Sequence, residues 1–268
     1  MTQNADTGDG KARFDLAWND DHVIPDVTFP DLDFLFRRMN EATVAAVQPG
    51  KGERILDIGC GRALDAIQLA KINGECLGLE LSQTMISHAR THIDRSGSEV
   101  ILVRGAGEQL PFKDCSFDKV MCKGALDHFP QPDKAIEEIA RILKPGGKAI
   151  ITLVNFESLS FKLGRRLYGI VALFYRKGRD QKRVWHVPDD HAYKFDYVHL
   201  RKIVEPHLKV DRCVGISLFF AFPWWGMLLS RMPARVSLAV LNTLDRLARR
   251  MPALSDTVLL KCSPKDRD

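Results

Sequence analysis

The stretch RILDIGCGRA (residues 54–63) joins a hydrophobic run to a turn that contains two glycines. The run at 54–59 predicts a buried strand, and residues 62–72 are typical of a helix. A turn of small residues lets a ligand approach the backbone, and the first turn of a helix offers unbonded N–H groups. Ligands of open parallel sheets bind beyond the carboxyl ends of the strands, so this turn is a candidate ligand site.

The alternation of strand and helix patterns continues to residue 155. It predicts strands at 54–59, 75–81, 99–105, 117–124 and 148–155, separated by helices at 62–72, 82–93 and 133–143. Strands that alternate with helices form right-handed βαβ units, because a parallel strand needs a crossover connection. The predicted fold class is therefore α/β, with a doubly wound, mostly parallel sheet.

The pattern is less regular outside this block. It predicts further helices at 31–47 and 195–205, strands at 209–217 and 256–263, and an amphipathic helix at 235–250. On that last helix the predicted apolar face consists of Val240, Leu241, Leu244, Leu247 and Ala248, opposite Asp245, Arg246 and Arg249. The complete prediction is a seven-stranded sheet with an N-terminal helix and helical C-terminal cap insertions.

The 268 residues suffice for one large α/β domain. We expect a disordered tail at 1–13 and a single domain over 14–268. The expected core comprises 40–155, 195–217 and 256–263, with cap insertions at 156–194 and 218–255.

Composition excludes several classes of protein. The chain is 45% hydrophobic and 27% charged, which is ordinary for a globular protein and unlike a disordered or fibrous one. Its six cysteines show no metal-ligand spacing, and the polar start MTQNADTGDG is unlike a signal peptide. These features predict a cytoplasmic protein with reduced thiols and no metal site.

The charge is unevenly distributed. Residues 1–150 contain 18 Lys and Arg against 23 Asp and Glu, whereas residues 151–268 contain 21 against 11. A basic second half suggests contact with something anionic, such as a membrane surface, a nucleic acid or an acidic substrate.

Two carboxylates narrow the choice of ligand. Glu80 ends the second predicted strand and is placed to accept hydrogen bonds from both ribose hydroxyls of an adenosine-containing ligand. Asp57 precedes the turn, where it would repel a pyrophosphate but suit an ammonium group. A dinucleotide-binding loop has a third glycine where this chain has Leu64. The glycines alone also fit a simple tight turn, with Glu80 as a surface acid.

Residues 54–155 resemble the class I S-adenosylmethionine-dependent methyltransferases, of the type found in ubiquinone and menaquinone biosynthesis. The resemblance rests on ILDIGCGRA (55–63), LGLELSQTMISHAR (77–90), GAGEQLPFKDCSFDKV (105–120), ALDHF (125–129) and EIARILKPGGKAIIT (138–152). It implies S-adenosylmethionine as cofactor and a last strand that lies antiparallel beside the fifth.

The resemblance also assigns roles to residues. The implied cofactor-binding residues are Asp57, Gly59, Cys60, Gly61, Glu80, Leu81, Gly107, Glu108 and Lys123. Of these, the glycine loop would contact the methionine moiety, Glu80 the ribose and Leu81 the adenine. Ala106 stands where the family has an aspartate that binds the adenine amine, so Gly107 and Glu108 are expected to make that contact. Lys123 replaces a residue that is usually small and polar.

The end of the fourth predicted strand supplies the catalytic candidates, Asp127 and His128, where the family often has two histidines. An aspartate beside a histidine can orient an imidazole that removes a proton from the acceptor. The alternative is that Asp127 caps a turn and His128 packs under Phe129. The resemblance further implies an acceptor pocket lined by Trp185, His191, Tyr193 and Phe195.

We expect a small-molecule or lipid-like acceptor and no nucleic acid, because no nucleic-acid recognition motif is present. Two segments favour peripheral membrane contact: 158–183, with eight basic residues and one acid, and the uncharged 214–230, with Trp224 and Trp225. The second segment fits equally a strand followed by a buried lid helix. Two other functions stay open, a nicotinamide-dependent dehydrogenase and a non-catalytic membrane-associated protein that retains the fold.

Overall fold

The computed structural model describes residues 15–20, 29–73, 75–174 and 193–265. The predicted tail at 1–13 lies outside the described residues, as do Trp185 and His191.

Seven strands and eight α-helices are described. The strands are β1 (Ile55–Ile58), β2 (Cys76–Glu80), β3 (Val100–Arg104), β4 (Phe117–Lys123), β5 (Leu143–Val154), β6 (Leu208–Ile216) and β7 (Thr257–Pro264). The helices are α1 (Pro30–Val47), α2 (Leu64–Asn73), α3 (Gln83–Ser96), α4 (Pro132–Ile142), α5 (Leu159–Phe174), α6 (Tyr197–Val204), α7 (Trp225–Ser230) and α8 (Ala234–Ala248).

All seven strands form one sheet in the order β3-β2-β1-β4-β5-β7-β6. The first five are mutually parallel, and β7 runs antiparallel between β5 and β6. This arrangement confirms the doubly wound, mostly parallel sheet and the antiparallel position of the last strand. Because β6 is antiparallel to β7, it runs in the direction of the parallel strands. Its carboxyl end therefore lies at the same end of the sheet as those of β1 and β2.

Helices cover both faces of the sheet. Apolar side chains of α1, α2 and α3 pack on one face, with Val47, Leu69 and Ala89 among the buried residues. Those of α4 and α6 pack on the other, through residues such as Ile139 and Val204. Every residue of β1 and β2 is buried, which accounts for their hydrophobic runs, whereas β3 at the edge of the sheet is partly exposed, with Ile101 57% exposed.

The fifth strand begins earlier than predicted. It starts at Leu143 rather than at residue 148, and it includes the Lys-Pro-Gly-Gly run that was expected to separate helix from strand. Leu143 pairs with Phe117, and the pairing register shifts before it resumes at Lys119. An irregular pairing of this kind accommodates proline and glycine that would interrupt a regular strand.

The predicted faces of α8 are confirmed at Leu241 and Ala248, which are buried, but are wrong at two other positions. Asp245, placed on the polar face, is 2% exposed, whereas Leu247, placed on the apolar face, is 47% exposed. Asp245 accepts hydrogen bonds from Arg249 (2.8 Å), from Arg38 of α1 (3.3 Å) and from the backbone N–H of Ser217 (3.2 Å). These contacts stabilise a buried carboxylate, so they decide which side of the helix faces inward.

The loop that connects β6 to α7 has an unusual backbone. Four residues other than glycine have positive φ angles: Ser217, Phe219, Ala221 and Trp224. Buried carboxylates bind its N–H groups, since Asp256 accepts from Phe220 (2.9 Å) and Asp31 from Ala221 (3.0 Å). The loop is therefore fixed to β7 and to the first turn of α1.

Candidate functional site

The turn after β1 is compact. Gly59 and Gly61 have φ angles of +67° and +54°, in the left-handed region that glycine adopts most easily. The N–H groups of Gly59 and Cys60 both donate to the carbonyl oxygen of Leu79, at 2.8 and 3.0 Å. A Cβ on Gly59 would lie 2.4 Å from that of Ala125, so the turn leaves no room for a side chain there.

Glu80 closes this turn from the end of β2. Its Oε2 accepts a hydrogen bond from Gly61 N–H at 3.0 Å, and its Oε1 accepts from the N–H groups of Leu81 and Ser82, both at 2.8 Å. A carboxylate offers about four acceptor positions. The backbone uses three of them, which leaves one for a ligand, on Oε2.

A cluster of charged side chains lies beneath the turn. Burial raises the pKa of Asp57 well above its ordinary value, the charge of Asp65 raises it further, and Lys123 opposes the shift. The ammonium of Lys123 makes an ion pair with Asp65 and donates a hydrogen bond to Asn40 at 2.6 Å. Lys123 thus contacts α1 and α2, an arrangement that no local sequence pattern indicated.

On the opposite side of the turn, Gly107 lies against an aromatic ring. A Cβ on Gly107 would come within 2.5 Å of the Phe129 ring. The neighbouring Glu108 accepts a hydrogen bond from Gln131 N–H at 3.2 Å, and burial raises its pKa. Leu81 is half-buried.

The two catalytic candidates differ in their surroundings. They belong to a short 3₁₀ turn, Leu126–His128, in which Asp127 is buried. The ring of His128 lies 5.0 Å from that of Trp18, centroid to centroid. The ring contact of His128 is thus with a residue far away in the sequence.

The two described residues that the resemblance assigned to the acceptor pocket, Tyr193 and Phe195, lie in different surroundings. Tyr193 lies beside the 3₁₀ turn, because its N–H donates to the carbonyl oxygen of Asp127 (3.2 Å) and its hydroxyl to that of Pro130 (3.0 Å). Phe195 is buried in the core and packs against His199, so its assignment to an open pocket is wrong.

Residues 15–20, here called the strap, cross the outside of the site. The carbonyl oxygen of Trp18 accepts a hydrogen bond from the Ser82 hydroxyl at 2.6 Å, at the first turn of α3. Asp20 forms a two-oxygen ion pair with Arg62, which follows the glycine turn, at 2.8 and 2.9 Å. Sequence analysis missed the strap, because an irregular segment has no periodicity; a tryptophan in a polar stretch was the available signal.

Among the described residues, no three or more His, Cys, Asp or Glu side chains converge as a metal site would require. No helix of the described part of the chain has the length and apolar character needed to span a membrane.

Comparison with known proteins agrees with this architecture. Residues 56–151 match the methyltransferase domain family. A ubiquinone biosynthesis O-methyltransferase from Maricaulis maris is 34% identical over 117 residues, which are 43% of this chain and 46% of that protein. An uncharacterised methyltransferase from Bacillus subtilis, YcgJ, is 36% identical over 99 residues, 37% of this chain and 39% of that protein.

A solved structure extends the likeness in fold. A SAM-dependent methyltransferase from Aquifex aeolicus superimposes with a TM-score of 0.53 over 83% of this chain and 88% of its own, at 14% identity. The chain spans about half the length of the curated relatives that it matches, or less. Residues 56–151 thus match the methyltransferase domain family, and the sheet around them has the Rossmann-like fold of the class I S-adenosylmethionine-dependent methyltransferases.

Proposed function

We propose that the protein transfers a methyl group from S-adenosylmethionine to a small-molecule acceptor. The observation that carries this proposal is the position of Glu80 beside the glycine turn, inside the matched methyltransferase domain. Both lie at the carboxyl edge of the parallel strands, where open sheets bind their ligands.

The residues at this edge fit the cofactor. At Gly59 and Gly107 a Cβ would collide with Ala125 and with the Phe129 ring, so glycine is needed there for the backbone to pack closely at this edge. We assign the free position on Glu80 Oε2 to a ribose hydroxyl, Gly107 and Leu81 to the adenine, and the glycine turn to the methionine moiety.

The charged residues complete the assignment. Asp57 lies under the turn with Lys123 nearby, and together they set the electrostatic potential where the ammonium and carboxylate of the methionine moiety would bind. When bound, the cofactor supplies a methyl group already activated by a sulfonium, so the protein contributes mainly position and orientation.

On the acceptor side, His128 and Asp127 are the residues we assign to proton removal. His128 stands at the end of β4 against the strap, and an imidazole suits this role because its ordinary pKa is near neutral. A base is needed only for an acceptor that loses a proton on methylation.

The acceptor class includes lipid-like molecules. Such an acceptor would bring a cytoplasmic protein to the membrane surface through residues 158–183 and 214–230; residues 175–192 lie outside the described part of the chain. The dehydrogenase alternative is not favoured, because the matched relatives are methyltransferases and Leu64 occupies the place of a third glycine.

Titration calorimetry tests the cofactor assignment. We expect binding of S-adenosylmethionine and of its demethylated product, and none of NAD. Gly59→Ala should abolish binding, because the added Cβ meets Ala125. Gly97→Ala is the matched control, since Gly97 has a similar φ of +64° but open space around it. Binding of NAD in preference to S-adenosylmethionine would overturn the proposal.

Methyl transfer itself is tested by incubating the protein and cofactor labelled in the methyl group with fractionated cell extract. Label should enter a small-molecule or lipid fraction, and His128→Ala should reduce its incorporation. Cofactor binding without any labelled product would instead favour a protein that retains the fold without catalysis.

A further inference from the structure

Helices α7 and α8 expose an unusual number of large apolar side chains. These are Trp224, Met227, Leu228, Val236 and Leu238, which are between 43% and 61% exposed. We call this surface, formed by residues 224–238, the α7–α8 face. Scattered exposed apolar residues are ordinary, but three of these belong to a single helix of six residues and the residue before it.

The face is also basic. No acidic residue occurs in the sequence between Asp211 and Asp245, whereas Arg231 and Arg235 lie within the face and are exposed. The surface thus combines apolar side chains with positive charge. An apolar protein partner does not require this combination, whereas an anionic membrane surface does.

The inner side of the same helices is firmly packed. Leu229 of α7 and Leu241 of α8 form a buried cluster with Phe34 of α1, and Trp225 packs against it. The two adjacent tryptophans therefore differ in role, since Trp225 contacts the protein and Trp224 is 61% exposed. This packing presents the outer face as a fixed surface.

An apolar groove adjoins the face. It has a volume of about 360 Å³ between α1, α7 and α8, and its lining includes Phe34, Leu229, Met232, Leu238 and Leu241 together with the oppositely charged side chains of Asp33 and Arg37. Leu238 belongs to both the face and the groove. A groove continuous with an exposed apolar surface can accommodate a displaced acyl chain.

The face lies at the functional edge of the sheet. Helix α7 follows the carboxyl end of β6, the edge at which the glycine turn after β1 also lies. The loop before α7 is tied to the start of α1 by the bond from Ala221 N–H to Asp31. A membrane docked through this face would lie at the same end of the sheet as the site, with β4, β5 and β7 between β1 and β6.

We propose that the α7–α8 face docks on an anionic lipid bilayer, with Trp224, Met227 and Leu228 inserted at the headgroup level and Arg231 and Arg235 bound to lipid phosphates. The inference rests on the proposed function, because docking serves catalysis only if the acceptor is a lipid-like molecule in the bilayer. It does not require methyl transfer for its own test.

Cosedimentation with vesicles tests the proposal. The full chain is mixed with vesicles of phosphatidylcholine alone or with one quarter phosphatidylglycerol, over a series of salt concentrations. We expect pelleting with the anionic vesicles, decreasing as salt rises, with a residual fraction from the inserted side chains.

Paired variants locate the contact. Trp224→Ala with Leu228→Ser should weaken vesicle binding on the order of tenfold. Leu247→Ser is the control, because Leu247 has the same 47% exposure as Leu228 but lies near the end of α8, about 13 Å of helix beyond Leu238. Arg231→Gln with Arg235→Gln should weaken binding roughly fivefold per arginine, whereas Arg246→Gln with Arg250→Gln removes equal charge from outside the face.

Three outcomes would overturn the proposal: equal pelleting with both kinds of vesicle, equal weakening by the control variants, and a stable dimer that the Trp224 variant dissociates. The last would identify the face as an interface between copies of this chain. Failure of the docking proposal is distinguished from failure of the proposed function by titration calorimetry with the cofactor in the absence of vesicles. The variants of the α7–α8 face should bind the cofactor normally in that experiment.

Discussion

Single residues decide the shape of the candidate site. Gly59 and Gly107 bring the backbone within contact of Ala125 and Phe129, where any Cβ would collide. The carboxylate of Glu80 accepts hydrogen bonds from three backbone N–H groups, so it stabilises the turn. It also offers one acceptor position to a ligand. A substitution here therefore affects the turn and the ligand together.

Glu80→Gln should weaken cofactor binding by about 1.5–3 kcal/mol, the range for a hydrogen bond to a charged group. The amide keeps one acceptor oxygen but loses the charge and one acceptor position. Calorimetry gives the dissociation constant, and thermal unfolding without ligand reports any change in the turn. Glu75→Gln, an exposed acid just before the same strand, is the control. An unchanged dissociation constant would remove Glu80 from the site.

At the scale of elements, two segments without regular structure depend on particular tertiary contacts. The loop before α7 is bound by the carboxylates of Asp31, Asp245 and Asp256. The strap is bound at Ser82 and Arg62, on both sides of the site. Each contact can be removed by one substitution, so both segments can be tested separately.

Asp256 should make stability depend on pH. Burial raises its pKa from 3.8 to about 7, against hydrogen bonds from Ser160 and Phe220 that lower it. The folded protein therefore binds a proton between about pH 4 and pH 7 that the unfolded chain releases. The stabilisation is complete below about pH 4 and is lost as pH rises through about 7.

Urea unfolding of the natural protein and of Asp256→Asn, from pH 4.5 to 8, isolates this effect. The difference between their unfolding free energies should change by up to about 4 kcal/mol over that range, with the natural protein losing stability as pH rises. Asp94→Asn, at an exposed position, should leave the pH dependence unaltered. A constant difference for Asp256→Asn would show that its carboxyl does not titrate there.

The strap should slow release of the cofactor. Asp20→Asn and Arg62→Gln should each raise the dissociation rate of the demethylated cofactor about two- to fivefold, the effect expected of a partly exposed ion pair. The double variant should be no faster than either single one, because both remove the same contact. Stopped-flow displacement measures the rates, and Asp15→Asn, whose carboxylate accepts a hydrogen bond from Ala17 N–H within the strap, is the control. Additive effects would argue against a shared role of this ion pair.

At the scale of the whole molecule, the two halves of the sequence share one sheet. β5 pairs with β4 on one side and with β7 on the other, and β6 adds only through β7. The C-terminal strands therefore cover an edge that the N-terminal strands would otherwise expose. The basic second half is part of the same fold as the acidic first half.

We expect one cooperative unfolding transition, because no strand can leave this sheet without exposing its neighbours. Calorimetric and van't Hoff enthalpies should agree. Gly215→Ala tests the coupling, since its Cβ would lie 2.2 Å from the carbonyl oxygen of Ala248. The variant should lower the whole transition, by roughly 1–3 kcal/mol of stability. A split into two transitions would indicate separate domains.

Much of the fold follows from local pattern. The hydrophobic runs and the breaks between them determined β1 and β2, because every residue of these inner strands is buried and almost all of them are apolar. Ser82 begins the predicted helix 82–93 and caps α3, accepting a hydrogen bond from Met85 N–H at 3.3 Å. The glycine turn and Glu80 were also found from sequence, because each belongs to a short contiguous motif with a fixed offset.

Only the tertiary structure decided the rest. Arg38 and Asp245 lie 207 positions apart, and their ion pair stabilises a buried carboxylate that was predicted to lie on the polar face of α8. Lys123 reaches Asn40, 83 positions away, and also Asp65, and Trp18 reaches His128; each of these partners is distant in the chain. The sequence by itself determined elements whose stability comes from periodic burial. It could not determine these contacts, because a polar pair brought together by folding has no period and no local spacing.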